Sequence, residues 1–420
     1  NQLMTAPDAL RKRCALALSE FFVVSLSGLD FAWRSHGIAA WWDLLVANAF
    51  GTFRQLLEAV TLNPAMGYYL NTKGNLKEDP AKGRLPDENY AREVMQLFSI
   101  GLYQLNLDGT PKTDAQGNRI ESYSQADVTN LARVFTGYDI DMSQNVNTYD
   151  PVLNRNIPNT TPARLPMVLN ASRHSTLAAT FLGVTIPAGT PGATALKTAL
   201  DTLFNHPNVG PFIGRQMIQR LVTSNPSRSY VARVAAAFNN NGAGVRGDLK
   251  AVWSAILLDE EARNTTGLTQ VGFGRLREPM LRFVQWGRTF GIASTLGSWK
   301  IGDLGNPATQ LGQSPLRPPS VFNYFRPGYV PPSTELVANR SVAPEFQIVN
   351  ESSVGGYLNF LQGVVRNGLY VGAPDQPNAG SNASNGYDIT AAYAAELALV
   401  TDAVALVKRL ALLLCADQLS

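Results

Sequence analysis

Apolar residues recur at intervals of three and four positions along much of the chain, which is the spacing of one buried face of an α-helix. Polar residues fill most of the positions between them. Each such segment therefore predicts an amphipathic helix with one face turned to a core. The segments with this pattern are residues 10–25, 41–60, 87–100, 125–137, 194–206, 212–222, 230–238, 249–258, 273–290, 351–365 and 390–415.

Residue types that start and stop helices support several of these boundaries. Asp87 and Asp248 can accept hydrogen bonds from the free N–H groups at a helix start. Ser124 and Asp127 form a variant capping box, with aspartate in place of the usual glutamate. Gly101 is a stop signal, because glycine readily adopts the left-handed conformation that ends many helices.

Stretches rich in proline, glycine and polar residues separate the helices. We expect loop insertions at 102–124 and 138–190, the first a small hairpin-like excursion and the second with a short strand near 165–169. Proline is too dense in residues 291–350 for long helices. Residues 372–386 are typical of a loop.

These patterns predict a mainly α, multi-helix globular fold with long irregular loops and at most a small β-hairpin excursion. The predicted strands are few and do not alternate with the helices, which argues against a doubly wound sheet. We interpret residues 1–420 as one large helical domain. Because the chain starts at Asn1 and stops within a predicted helix, we expect it to be a fragment or a processed form.

Composition excludes some functions. Apolar residues make up 45% of the 420 residues, and the net charge is only +3. A disordered chain needs lower hydrophobicity and higher net charge. We expect no nucleic-acid partner, because a strong basic field is missing. We expect no transmembrane segment, because no stretch of about 18 residues is apolar and uncharged.

Metal and cofactor motifs are missing from the sequence. Only His36, His174 and His206 are present, without zinc-ligand spacing, and Cys14 and Cys415 lack CxxC spacing. The two thiols could form one bridge, but we interpret them as small buried hydrophobes. No cofactor is indicated, and metal occupancy stays open. His174 lies in the long irregular segment, where functional residues concentrate, and is therefore a candidate site residue.

Ionisable residues on two predicted helices give the other candidates. Glu93 lies near Tyr90 and Arg92 on an otherwise apolar helix, and Asp127 and Arg133 lie on the next one. A buried glutamate there could be an acid, a base or a ligand, or half of an ion pair that fixes helix packing. We take Glu93, Asp127 and His174 as catalytic candidates. Tyr90, Arg92 and Arg133 would form a supporting polar network.

Four arginines lie along the predicted helix 273–290, namely Arg275, Arg277, Arg282 and Arg288. Arg275 and Arg282 are one heptad apart, so part of that face could meet an anion. We favour a solvated face whose aliphatic stems cover apolar surface.

The run Asn-Tyr-Ala-Arg-Glu at 89–93, with the Thr-Gly pair at 136–137, is the most specific of several short motifs in the chain. Together these segments resemble a large bacterial family, the domain-of-unknown-function family eighteen hundred. A weaker likeness extends through 321–325. The other matching segments are 13–19, 63–67, 127–128, 132–133, 206–207, 246–249 and 277–279.

The resemblance implies an exported bacterial protein in the periplasm or outside the cell, whose partner could be another exported protein. It implies no particular reaction. Many members have a second glutamate where this chain has Gln96, and some have histidine where it has Phe98. A metal or acidic cluster built on that helix would therefore be weaker here.

Two interpretations follow. The chain could be an exported acid/base enzyme whose site combines the Glu93 helix, the Asp127–Arg133 helix and the His174 loop. It could instead be a non-catalytic structural or binding component of a cell-surface or extracellular assembly. The first requires that Glu93 and Arg92 are both buried, with at least one bonded to a neighbouring helix, and that His174 lies within side-chain reach of the Glu93 helix.

Overall fold

The protein is described by a computed structural model, which covers residues 1–270, 272–371 and 386–418. The predicted loop at 372–386 lies, apart from Gly386, outside these residues. The chain folds mainly into α-helices joined by long irregular segments and a few small sheets. Among the described residues, no helix is long and apolar enough to cross a membrane.

The first half of the helical framework lies before residue 222 in the chain. Its members are α1 (Gln2–Thr5), α2 (Ala9–Ser19), α3 (Arg34–Asn48), α4 (Phe53–Thr61), α5 (Pro64–Tyr69), α6 (Asn89–Gln96), α7 (Gln125–Val134), α8 (Gly192–Asn205) and α9 (Val209–Leu221). The later helices are α10 (Arg228–Asn239), α11 (Leu249–Leu257), α12 (Glu260–Arg263), α13 (Pro279–Thr289), α14 (Glu335–Ala338), α15 (Val354–Asn367), α16 (Ala394–Leu397) and α17 (Ala403–Cys415).

The strands form small antiparallel sheets at the edges of the helical body. Pairing joins β1 to β4, β2 to β3 and β5 to β6, while β9 lies between β7 and β8. The strands are β1 (Tyr138–Asp139), β2 (Asn147–Asp150), β3 (Arg155–Pro158), β4 (Val168–Leu169), β5 (Ala179–Phe181), β6 (Val184–Ile186), β7 (Ala293–Ser294), β8 (Leu369–Val371) and β9 (Gly386–Thr390).

The mainly helical fold is confirmed, but the β content exceeds the predicted single excursion. Segment 138–190, predicted as an irregular insertion with one strand, contains β1 to β6, and the expected strand near 165–169 is present as β4. The 102–124 segment makes isolated bridges such as Tyr103 with Glu121. Short strands of two to four residues were missed because they are too short for an alternating pattern to stand out.

Several predicted helix bounds are wrong. The predicted helix 41–60 is two helices, since Thr52 and Gln55 make a reciprocal capping box that starts α4. The predicted helix 10–25 ends at Ser19, before the β-branched pair Val23 and Val24. The predicted helix 390–415 is divided into α16 and α17, and the segment 273–278 precedes α13 as coil.

Two apolar clusters hold the fold together. The larger contains the buried faces of α2 to α11, with fully buried aromatic side chains such as Trp41, Phe22 and Phe98. The smaller contains Met4 of α1, Phe283 and Trp286 of α13, and Ile389 of β9. Cys14 is a buried free thiol in the larger cluster, as predicted, and Cys415 is a half-buried free thiol.

Candidate functional site

Glu93 and Arg92 occupy the half-buried side of α6. One Glu93 carboxylate oxygen, Oε2, is buried and accepts no hydrogen bond from any described residue. Burial raises the pKa of this carboxyl, and the charge of Arg92 only partly offsets it. Arg92 instead donates to Glu88 at 3.2 Å and to the Gln125 side chain of α7 at 2.9 Å. The predicted bond to a neighbouring helix is present, but both side chains are half-buried rather than buried.

The Tyr90 side chain packs in the core and does not face Glu93. Its hydroxyl lies 2.7 Å from the hydroxyl of Thr61 on α4, and its ring meets the Phe135 ring edge-on. Glu93 is instead close enough to Tyr69 to affect its ionisation. Burial of the Tyr69 hydroxyl, and then the negative charge of Glu93, raise the pKa of Tyr69 to about 12. Tyr90 therefore positions α6 against α4.

Asp127 and Arg133 attach α7 to the segment around β5. One Asp127 oxygen accepts hydrogen bonds from the Ser124 backbone and hydroxyl at 2.7 and 2.6 Å, and the other accepts from the Leu182 backbone at 2.7 Å. Burial raises the pKa of Asp127, but these bonds outweigh it and lower the pKa. Arg133 donates to the Ala178 carbonyl at 2.6 Å.

His174 is 5% exposed and binds the end of α7. Its Nδ1 lies 2.9 Å from the Thr136 carbonyl oxygen, and Ser175 donates its N–H to the Thr136 hydroxyl. The next hydroxyl, that of Ser175, donates to Glu78 at 3.0 Å. The hydrogen bonds of Glu93, Asp127 and His174 thus lead to different neighbours, and a shared site between them stays a prediction.

A second group of ionisable side chains, which we call the buried charge cluster, lies where α2, α9 and the coil before α13 meet. It consists of three arginines and three glutamates, of which Glu20, Arg220, Glu278 and Glu345 are buried, while the Arg275 side chain is 9% exposed and Arg13 is half-buried. The members are Arg13, Glu20, Arg220, Arg275, Glu278 and Glu345.

Arg275 is the centre of this cluster. Its guanidinium donates to Glu278 Oε1 at 2.5 Å, lies 2.9 Å from Glu345 Oε1, and also donates to the Arg220 carbonyl. Gln313 donates to the second Glu278 oxygen at 2.6 Å. Burial raises the pKa of Glu278, but Arg275 and these bonds outweigh it, so the carboxyl has a lowered pKa and is ionised.

Glu20 is the exception in the cluster. Neither of its carboxylate oxygens accepts a hydrogen bond from a described residue, and its nearest cation, the Arg220 Nε, is 3.7 Å from Oε2. Burial first, and then the negative charge of Glu278, raise its pKa to about 8 despite the nearby arginines. A carboxyl with this pKa holds its proton at neutral pH, and such groups are common at acid/base sites.

Glu20 and Arg220 line a cavity of about 450 Å³. One face of α9 forms a wall of it through Phe212, Gln216 and Gln219, and the Pro-rich segment closes it through residues 321–328. Gln219 ties these two walls together, because its amide donates to the Pro327 carbonyl at 3.2 Å. Cavities of a few hundred cubic ångströms with a few polar groups commonly bind small molecules.

Asn208, which precedes α9, positions another wall. Its amide nitrogen donates to the carbonyls of Ile100 and Tyr103 at 2.9 and 2.8 Å, and its oxygen accepts from the Leu105 N–H at 2.9 Å. These bonds fix the loop after α6, and Leu102 and Leu105 of that loop line the cavity. Gln96 of α6 lines the same space, so the helix of Glu93 borders this cavity.

A second cleft of about 560 Å³ lies between α3, α5 and the β1–β4 pair. Its aromatic wall includes Phe31 and Tyr68, stacked with centroids 4.5 Å apart, and Trp33, whose indole N–H donates to the Pro158 carbonyl. Asp139 at its edge is 3.1 Å from Arg173. This cleft has aromatic binding surface but no buried carboxyl among its lining residues.

Metal-ligand residues do not converge at either place. Across the described ranges, no three His, Cys, Asp or Glu side chains come together in a way that could hold a metal ion. The glutamates of the buried charge cluster are each next to an arginine.

The sequence interpretation missed this cluster because its members are far apart in the chain. Arg275 was assigned to a solvated helix face, which is wrong: it precedes the helix and its side chain is only 9% exposed. One local signal was present, since Glu20 follows the apolar run 14–18 and precedes Phe21 and Phe22. A lone charge within such a run indicates either a chain reversal or a buried ionisable group.

Comparison with known protein families now places the chain in a class. The family described as Protein of unknown function (DUF1800) matches residues 1–420. The chain therefore belongs to this family, as its resemblance predicted. No curated protein matches the chain significantly. No solved structure does so either.

Proposed function

We propose that this protein is an exported bacterial acid/base enzyme and that Glu20 transfers the proton in its active site. The active site is the cavity lined by Glu20, Arg220 and Gln216, which we call the Glu20 cavity. The observation that supports this most is Glu20 itself: both of its carboxylate oxygens are buried and lack hydrogen bonds to described residues, and Glu20 is among the residues that line a cavity large enough for a small molecule.

The mechanism follows from the electrostatics of the buried charge cluster. Glu20 is protonated at neutral pH, so it can donate a proton to a substrate atom that develops negative charge. The Glu20 carboxylate that results lies beside Arg220 and near Arg13, which would stabilise it. Reprotonation from water completes the cycle. General acid catalysis of this kind contributes about 10²–10⁴-fold to a rate.

Infrared spectroscopy of the purified protein tests this assignment without a known substrate. The difference spectrum between wild type and Glu20→Gln should contain one protonated-carboxyl band at pH 6 that disappears as the pH rises through about 8. Glu121→Gln, at an exposed position, is the control. A Glu20 carboxyl already ionised at pH 6 would overturn the proposal.

The exported setting comes from the family resemblance and has its own test. Antibodies against the protein should detect it in the periplasmic fraction or the medium of its natural host. Detection only in the cytoplasmic fraction would contradict this part of the proposal, independently of the Glu20 result.

A binding role in a cell-surface assembly is the second candidate, and the aromatic cleft supports it. Phe31, Trp33 and Tyr68 offer stacking surfaces at the cleft with the charged pair Asp139 and Arg173 at its edge. Trp33→Ala should weaken binding to cell-envelope material in a sedimentation assay if this is the main function. Glu20→Gln should leave that binding unchanged.

A further inference from the structure

Four charged side chains line the Glu20 cavity, and only two of them form an ion pair with each other. Glu20 and Arg220 lie next to each other in its wall. Arg215 and Arg326 line the same cavity, and neither guanidinium has an acidic partner or a hydrogen bond among the described residues. The cavity therefore has two guanidinium groups whose charge is not balanced by the protein.

These two arginines stand on different walls. Arg215 is on α9, four residues before Gln219, so both lie on the helix face toward the cavity. Arg326 belongs to the Pro-rich segment, where its guanidinium carbon is 4.7 Å from the centre of the Phe322 ring. The Gln347 side chain fixes that segment by accepting the Arg326 backbone N–H at 2.6 Å.

The rest of the lining is mainly apolar. Phe21, Leu97 and Phe212 contribute to it, and Leu102 and Phe322 are 49% and 39% exposed at the same place. Exposed apolar side chains beside a cavity offer surface that an apolar ligand can cover. Burying such surface stabilises a complex by about 25 cal/mol per Å² before the costs of association.

We propose that the Glu20 cavity binds an amphiphilic anion, a small molecule with an apolar body and one carboxylate or phosphate group. Arg215 and Arg326 bind the anionic group, since a guanidinium matches the geometry of both anions. The apolar side chains cover the body. This inference depends on the proposed function only in taking this cavity as the substrate site.

Calorimetric titration of the purified protein with matched probes tests the ligand class. Decanoate and decyl phosphate, below their micelle-forming concentrations, carry the anion and the chain. Acetate lacks the chain, and decanol lacks the charge. We expect both amphiphilic anions to bind at least tenfold more tightly than decanol, because only the anions can form charge-assisted hydrogen bonds with the guanidinium groups. Acetate should bind more weakly than decanoate or decyl phosphate.

Charge-removing variants locate the site. Arg215→Met and Arg326→Met should each weaken decanoate binding about tenfold or more and leave decanol binding nearly unchanged. Arg155→Met, on the remote and exposed strand β3, should have no effect. Circular dichroism of each variant shows whether it is folded, and both substitutions are at exposed residues.

Several outcomes would overturn the ligand class. These are no binding of either amphiphilic anion, equal binding by wild type and the Arg215→Met/Arg326→Met double variant, or acetate binding as tightly as decanoate. The relative affinities of decanoate and decyl phosphate identify the preferred anion. Because the infrared band of Glu20 is measured without ligand, a failure here leaves the acid/base assignment standing, and the reverse also holds.

Discussion

The carboxyl of Glu20 is buried away from water and has no hydrogen-bond partner among the described residues. Its folded pKa of about 8 lies above its ordinary value of 4.5. Between these values the folded protein keeps a proton that the unfolded chain releases. The stability contributed by the protonated carboxyl is therefore fully present below pH 4.5 and is lost as the pH rises through 8.

Glu20→Gln should remove this pH dependence. Relative to the variant, wild type should lose about 1.4 kcal/mol of unfolding free energy per pH unit between pH 5 and 8. Urea titrations at four pH values measure it. The exposed control Glu121→Gln should run parallel to wild type. Parallel curves for wild type and Glu20→Gln would mean that Glu20 is not shifted.

Asp127 fits two hypotheses, since an aspartate at this position can cap a helix or take part in catalysis. The sequence identified it both as a capping residue and as a catalytic candidate, and the structure shows the capping box directly. Asp127→Ala should destabilise the protein by about 1–2 kcal/mol, because it removes the cap and the acceptor of the Leu182 N–H.

Thermal unfolding of Asp127→Ala measures this cost, with Gln116→Ala in an exposed turn as the control. A decrease no larger than the control's would contradict the structural role. Asp127 would then stay a catalytic candidate without a demonstrated structural role.

At the scale of elements, the sequence predicts helix starts that have strong capping residues. It does not predict contacts between residues that are far apart in the chain. The caps at Ser124 and Asp248 set the starts of α7 and α11, where the structure has them. The break between α3 and α4 was missed because Thr52 is a weaker signal than the continuous apolar face around it. The charge cluster required knowing that residues about 200 positions apart, such as Glu20 and Arg220, are neighbours, and periodicity within a segment holds no such information.

Arg275 links the coil before α13 to Glu278, to Glu345 and to the Arg220 carbonyl of α9. Arg275→Met should cost about 3–5 kcal/mol of unfolding free energy, because it leaves Glu278 and Glu345 buried without their cation. Urea denaturation at neutral pH measures the loss. Arg277→Met is the matched control, since Arg277 is exposed two residues later and should change stability by less than about 0.5 kcal/mol.

A small loss for Arg275→Met, comparable with that of Arg277→Met, would show that water reaches the cluster. The glutamates would then be solvated in solution. In that case the raised pKa of Glu20, which has the same burial as its main cause, would also be in doubt.

At the scale of the whole molecule, the buried charge cluster lies between the two apolar clusters. Arg220 is on α9 of the larger cluster, and Arg275 and Glu278 immediately precede α13 of the smaller one. Further bonds cross the same boundary: Gly274 donates its N–H to the Thr223 hydroxyl at 2.9 Å, and the Gly274 carbonyl accepts the Ser224 N–H at 2.9 Å. Such links favour cooperative unfolding of both clusters, which is what a single domain over 1–420 requires.

Native-state hydrogen exchange tests this cooperativity. In wild type the slowest amides of α11 and α13 should open with the same free energy, since both would exchange only through global unfolding. In Arg275→Met the α13 amides should exchange through a separate opening of lower free energy than those of α11, because the strongest link between the clusters is lost. Arg277→Met should keep the wild-type pattern. If α13 already opens independently in wild type, the two clusters are separate cooperative units. The prediction of one domain would then be wrong.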